Sequence, residues 1–260
     1  MKTELISTVF LSEKRKNILL MLANGPITID EIKESLTGTT SAIMAQVKML
    51  LEQGLIEQNG EEYKLTYVGR LITKKIQPLI ETVDLLEGNR EYWGSRDLSA
   101  IPSHLMDRIW NLGKVVVHES DLNHLFEPPE ELRNSLKQSK NVSTLYSYFC
   151  PTCPMNYAEL AKKEINFDLV LTRSVYGRLK EEYEDQYDAI MESESSNLFV
   201  CEDDAINLGA LSITDDLTLI SFFNKEGHFD YKKAISYEES ALEWSNDLFE
   251  YYKQIAEKIE

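Results

Sequence analysis

Cysteine is scarce in this chain: three residues in 260, Cys150, Cys153 and Cys201. So small and odd a number argues against the disulfide framework that holds short secreted domains together, and reduced thiols are expected. Long apolar runs are missing too. None approaches the roughly 20 residues needed to cross a bilayer, and the opening "MKTELISTVFLSEKRK" breaks its apolar stretch with charges instead of ending it at a small-residue cleavage site. A soluble, cytoplasmic protein without membrane contact is expected. Glycine is thinly spread, and its spacing gives no G-x-G-x-x-G, no G-x-x-x-x-G-K and no G-x-S-x-G. Phosphate-cradling loops and the nucleophile elbow therefore have no support, nor does a Ser-His-Asp arrangement, so a protein that is not an enzyme and carries no cofactor is expected.

Positive charge is the other shortage, since the formal net charge is −17. It is unevenly placed. Residues 1–80 hold 10 Lys+Arg against 9 Asp+Glu, whereas residues 81–260 hold 17 against 35. Only the first segment escapes strong repulsion by phosphate, the asymmetry expected of a nucleic-acid-binding head on an acidic body. With 43% hydrophobic and 10% aromatic residues, the chain can bury one or two ordinary cores.

In the head, a helix is predicted over about Glu13–Ala23, ended by Gly25 and Pro26. "TIDEIKESL" opens a second, with Thr28 as N-cap and Glu31 at the capping-box spacing. "TSAIMAQVKMLLEQGLI" gives a third, with Ile43, Val47 and Leu50 on one stripe, Ser41, Ala45, Lys48 and Glu52 opposite, and Gly54 as its stop. "LIEQNGEEYKLT" reads as a hairpin around Asn59-Gly60.

This order of elements, with "MLLEQGLIEQNGEEYKLTYVGR", resembles the winged helix-turn-helix of archaeal and bacterial transcription regulators. The resemblance implies that Thr39, Thr40, Ser41, Met44, Ala45 and Lys48 face double-stranded DNA, with Lys64 and Arg15 near phosphates. A small packed helical domain without DNA contact is the plainer alternative. That face of the third helix lacks Arg, Asn and Gln for two-pronged base contacts, and Glu61 and Glu62 in the wing repel phosphate. Modest affinity per head, strong salt dependence and the joint action of two heads are expected.

Val68, Ile72, Ile76, Leu79, Val83 and Leu86 recur in steps of three and four, as in a coiled-coil seam, with Pro78 placed to kink or split the helix and "EGN" to end it. The stripe either pairs two copies into a homodimer or packs on the chain's own body.

Beyond residue 90 the pattern alternates. "KVVVHES", "VSTLYSYF" and "FDLVLT" read as strands; "PPEELRNSLKQS", "MNYAELAKKE" and "SVYGRLKEEYEDQYDAIM" read as helices, which argues for a largely parallel sheet covered by helices. "NLFVCE" follows as a strand, then "ALSIT" and "LTLISFF" as a hairpin turned at Asp215-Asp216. A last helix over about Tyr237–Ile259 carries Trp244, Leu248, Tyr251, Tyr252 and Ile255 on one face. "YWGSRDLSAIPSHLMDRIWNLG", "FDLVLTRSVYGRLKEEY" and "LSITDDLTLISFFNKEGHFDY" resemble the archaeal winged-helix regulators of methanogenesis and filament growth. The resemblance runs along nearly the whole chain and implies a multidomain α+β protein: a winged helix (1–66), a linker or dimerisation helix (67–89) and an α/β effector domain with a mixed sheet and flanking helices (90–260).

Two clusters invite chemistry. Cys150 and Cys153, at a strand end and helix start, have the spacing of a redox or zinc pair, but no complementary ligand pair accompanies them, and a structural turn shaped by Pro151 and Pro154 is the alternative. His118 and His124 in "HESDLNH" match no helix face that would aim them together and read as a solvated loop. Small ligands of open α/β sheets sit beyond the carboxyl ends of the strands. Tyr148, Cys150, Cys153, Thr172, Arg173 and Ser174 are accordingly expected to hold an unidentified small-molecule effector, with Arg173 as the fork for an acidic one. The function expected is a DNA-binding regulator whose acidic part senses an effector or redox state. The alternative is a thiol- or metal-based sensor or enzyme centred on Cys150 and Cys153, with the winged helix as a protein-contact module.

Overall fold

The computed structural model describes residues 4–120 and 127–260. The chain forms two compact units, residues 1–81 and 82–260.

The first unit opens with α1 (Glu4–Phe10), a helix the periodicity does not announce. α2 (Glu13–Ala23) follows, capped by the Ser12 hydroxyl accepting from the Arg15 amide. α3 (Ile29–Ser35) starts with a full capping box: the Glu31 amide donates to Thr28 Oγ1 at 3.3 Å and the Thr28 amide donates to Glu31 Oε2 at 2.6 Å. These backbone and side-chain hydrogen bonds from Thr28 hold the Glu31 carboxyl below its ordinary range. α4 (Thr40–Glu52) buries Ile43, Val47 and Leu50 against Ile18, Leu19, Leu22 and Ile32, as the stripe predicts.

A small antiparallel sheet of β1 (Ile27–Thr28), β2 (Ile56–Asn59) and β3 (Glu62–Leu65) has the order β1-β3-β2. Its hairpin turns one residue later than expected. Asn59 pairs with Glu62, so Gly60 and Glu61 form the loop, with Gly60 at φ +65° as a tight hairpin turn requires of its first central residue. α5 (Tyr67–Gly88) runs unbroken through Pro78. Gly69 is obligatory there: a Cβ would fall 1.8 Å from the Leu55 carbonyl oxygen. The expected seam divides. Ile76 joins the core of the first unit, while Val68, Leu79 and Val83 stay exposed.

The second unit contains α6 (Arg90–Ser95), α7 (Ser103–Met106), β4 (Val116–Glu119), α8 (Glu130–Gln138), β5 (Asn141–Tyr146), α9 (Cys153–Lys162) and β6 (Asn166–Thr172). α10 (Arg173–Glu182), α11 (Glu184–Met191), β7 (Ser196–Cys201), β8 (Ala210–Ile213), β9 (Thr218–Ser221), β10 (Lys232–Ser236), α12 (Glu239–Lys253) and β11 (Glu257–Lys258) complete it. The sheet order is β11-β7-β6-β5-β8-β9-β10-β4. Only β5, β6 and β7 run parallel, so the sheet is mixed rather than largely parallel. The single helix expected over 174–191 breaks at Tyr183, whose ring packs on Phe149 at 5.4 Å. His118 lies on β4 rather than in a loop, and His124 is outside the described residues.

Alternate residues of each strand feed two cores. Leu145, Val170 and Leu211 face Trp244, Leu248 and Phe249 of α12, with Trp93 and Phe222. Tyr146, Leu169 and Leu171 face Leu132 of α8, Leu160 of α9 and Leu179 of α10. On the first side Trp244 Nε1 donates to the Leu105 carbonyl at 3.0 Å, and the Tyr252 hydroxyl donates to the Ala100 carbonyl at 2.6 Å. Arg96, 4% exposed, forks onto both carboxylate oxygens of Asp230 and lies 4.7 Å from the Tyr92 ring centroid. Burial pushes the Asp230 carboxyl up, but the hydrogen bonds and charge of Arg96 outweigh it and leave that carboxyl below 3.8.

Candidate functional site

The solvent face of α4 is the first candidate. Thr39 caps the helix, its hydroxyl accepting from the Ala42 amide at 3.3 Å. Thr40, Ser41, Met44, Ala45 and Lys48 are all exposed on the turns that follow, so the structure brings these six expected residues to one surface. Lys48 stands 3.8 Å from Glu52, and Lys64 pairs with Glu57 across the hairpin at 3.2 Å. Both pairs are exposed and weak enough for another anion to displace the carboxylate.

Arg15 requires a correction. It is 8% exposed, and its guanidinium donates to the carbonyls of Thr8 and Ser7 and, at 2.6 Å, to Gln46 Oε1. It ties α1 to α2 and α4, its guanidinium engaged inside the unit rather than presented to solvent. The reason is α1 itself, which brings its last carbonyls over a side chain that helix periodicity alone would leave outside. Lys14, which the sequence reading passed over, instead packs beside Gly38 just ahead of α4. Among the described residues no ion pair engages Lys14, Arg70, Lys74 or Lys75.

The carboxyl ends of β5, β6 and β7 are the second candidate, and they divide into two places. Tyr148, Cys150 and Cys153 line a recess of about 320 Å³, counted with its open mouth, whose other walls are apolar or aromatic, among them Tyr157, Leu171 and Val175. Tyr148 stacks on Phe229 with ring centroids 4.3 Å apart, and burial pushes its phenol up. Cys150 and Cys153 are joined in a disulfide, where reduced thiols were expected; their Cα atoms, 5.4 Å apart, are within bridging distance. Cys201 is free but buried, and burial pushes its thiol up to about 11, away from reactivity. Among the described residues no group of three His, Cys, Asp or Glu side chains is placed to hold a metal ion.

Thr172, Arg173 and Ser174 lie outside that recess. Thr172 is 1% exposed, with Oγ1 3.5 Å from Ser174 Oγ, and the Ser174 amide donates to Asp203 Oδ1 at 2.9 Å. The fork of Arg173 is closed by Glu202, with Nε donating at 3.0 Å. That hydrogen bond and the Glu202 charge hold the guanidinium pKa above its ordinary value. Arg173 thus stands apart from the recess where the expected effector site placed it, forked onto the exposed Glu202 and amid Asp203 and Glu257, a setting that disfavours an acidic ligand.

A second recess, about 300 Å³ with its mouth, shares the wall of Tyr146, Tyr148 and Cys150 and is closed by Leu132, Leu219 and Lys233. Lys233 escaped the sequence reading because β10 did, and nothing local marks a buried lysine.

A model of the family described as methanogenesis regulatory protein FilR1, N-terminal domain, matches residues 3–84, and one of the middle domain matches residues 125–255. The chain is similar to methanogenesis regulatory protein FilR1 of Methanothrix harundinacea (strain 6Ac), at 25% identity over 256 residues, covering 96% of this chain and 56% of that protein. It thus spans little more than half the length of that relative. It is also similar, at 29% identity over 144 residues, to an uncharacterized HTH-type transcriptional regulator of Pyrococcus furiosus, covering 53% of this chain and 87% of the other. TrmBL2, an archaeal chromatin protein, superposes over 95% of this chain and 94% of its own with a TM-score of 0.44 and 14% identity, too loose a match to carry an argument. Among the described residues no helix is long and apolar enough to cross a membrane.

Proposed function

This chain belongs to the family of methanogenesis regulatory protein FilR1, and we propose that it is a transcription regulator that binds double-stranded DNA through α4 and the β2–β3 wing. The observation that carries this reading is the exposed face of α4, Thr40, Ser41, Met44, Ala45 and Lys48, set in the one part of the chain whose charges nearly balance. Hydroxyls and a methionine give few two-pronged base contacts, so phosphate attraction and DNA shape supply much of the affinity.

The head is residues 1–66, α5 links it to the body, and residues 90–260 form the effector domain. Two copies act together. The exposed Val68, Leu79 and Val83 of α5 support pairing through that helix, which would set two α4 helices in major grooves about 34 Å apart. Effector binding beyond β5 changes the angle between the heads and so the fit to both half-sites. The Cys150–Cys153 bridge supports redox state as a second input at the same wall.

Selection of bound fragments from a random DNA pool, followed by titration across a salt series, tests the reading. Affinity that falls steeply with salt, and falls further in Lys48→Glu, is the expected result. No protected sequence at low salt would end the proposal.

A further inference from the structure

Among the described residues, Lys233 is the one lysine buried without a carboxylate. It is 4% exposed, and among the described residues no Asp or Glu stands within ion-pair distance; its Nζ donates to Ser120 Oγ at 2.7 Å. An ammonium has three donors, and among the described residues one hydroxyl accepts from it. Burying a cation this way costs stability unless something charged completes it.

The register explains where it points. Lys233 and Ile235 share a face of β10, and Ile235 belongs to the core beneath α8, α9 and α10. Lys233 therefore lines the recess walled by Leu132 and Leu219 on one side and by Tyr146 and Tyr148 on the other. The groups around it do not replace an anion. His118 is its partner in register on β4, and Glu127, at the rim, is held by Arg133 at 3.0 Å. Burial lowers the Lys233 ammonium to about 8, so near pH 7 it is still charged.

We propose that this recess binds a small carboxylate with a short aliphatic body, the carboxylate on Lys233 and Ser120 and the body against Leu132, Leu219 and Tyr148. The inference rests on the reading of the second unit as an effector domain and names its ligand class. It moves the anion site from Arg173, which Glu202 engages in an acidic setting, to a buried lysine that no carboxylate among the described residues engages. Because Tyr148 and Cys150 also wall the apolar recess beside the disulfide, the ligand would touch the same wall through which redox state acts.

Calorimetric titration of the full chain with butyrate, with butyramide as the uncharged match, tests the proposal. Saturable one-to-one binding of butyrate, none of butyramide, and a loss of about ten- to a hundredfold in Lys233→Met are expected. Lys233→Met replaces a buried charge by an apolar chain of similar length, so it should melt no lower than the parent, and lost binding then reports the site. Equal affinity for butyramide, unchanged affinity in Lys233→Met, or no saturable binding would overturn it. DNA affinity measured on the same samples separates the two readings. Butyrate binding that leaves it unchanged upholds the site and overturns its regulatory role, whereas DNA binding without butyrate binding overturns the site alone.

Discussion

The two units handle charge in opposite ways. In residues 1–80, 10 cationic side chains meet 9 carboxylates. Among the described residues, every cation of this segment but Arg15 reaches the surface, over a core dominated by aliphatic side chains, Ile18, Leu19, Val47 and Leu50 among them. In the second unit carboxylates outnumber cations about two to one, yet the charges that matter are inside: the Arg96–Asp230 fork and the solitary Lys233. A head whose charge faces outward is suited to an external polyanion. A body that buries a cation such as Lys233 fits the small anion proposed for it.

The largest expected effect breaks the body. Arg96→Ala leaves Asp230 half-sheltered without its partner and should cost about 3 kcal/mol. Denaturant unfolding followed by tryptophan fluorescence checks it, because Trp93, Trp110 and Trp244 all lie in the second unit. A shift below about 1 kcal/mol would mean that water already satisfies Asp230. In the head, Ser12→Ala removes the cap of α2 and should cost about 1 kcal/mol, seen as a lower circular-dichroism midpoint with unchanged tryptophan unfolding.

The body should also respond to acid. The folded pKa of Asp230 lies below the ordinary 3.8, so the contribution of its ionised form is fully present above that value and is lost as pH falls through the folded one. The stability difference between the parent and Asp230→Asn should be flat at neutral pH and shrink below pH 3.8; a difference that grows on acidification would reverse the assigned sign.

The smallest effect sharpens the comparison most. Lys48→Gln should lower the slope of log affinity for DNA against log salt by about 1, whereas Arg173→Gln should leave it unchanged. Equal changes in both would mean that the body, too, meets the duplex.

How much of this was legible depends on the range of the forces involved. The Ile43, Val47 and Leu50 stripe, the Thr28–Glu31 box and the Gly54 stop are local, and they read correctly from spacing alone. So did the β8–β9 hairpin at Asp215-Asp216. What escaped is set by distant partners. α1 turns Arg15 inward, Phe149 receives Tyr183 where a continuous helix was expected, and β11 exists only by pairing Glu257 with Val200. Alternating strands and helices suggested a largely parallel sheet with one antiparallel hairpin, but β10 and β4 also close the sheet antiparallel and bring Lys233 beneath Leu132. The face of α4 was readable because exposure on an amphipathic helix follows from periodicity; the Lys233 recess was not, because five separate elements, α8, β5, β8, β9 and β10, build it.

Tethered cleavage tests the central claim most directly. Met44→Cys and Asp204→Cys, each placing a thiol at an exposed position, one per unit, can carry an iron chelate that cuts nearby DNA. The account predicts strand scission focused within the selected site from position 44 and none from position 204. Cleavage from position 204 with none from 44 would contradict it.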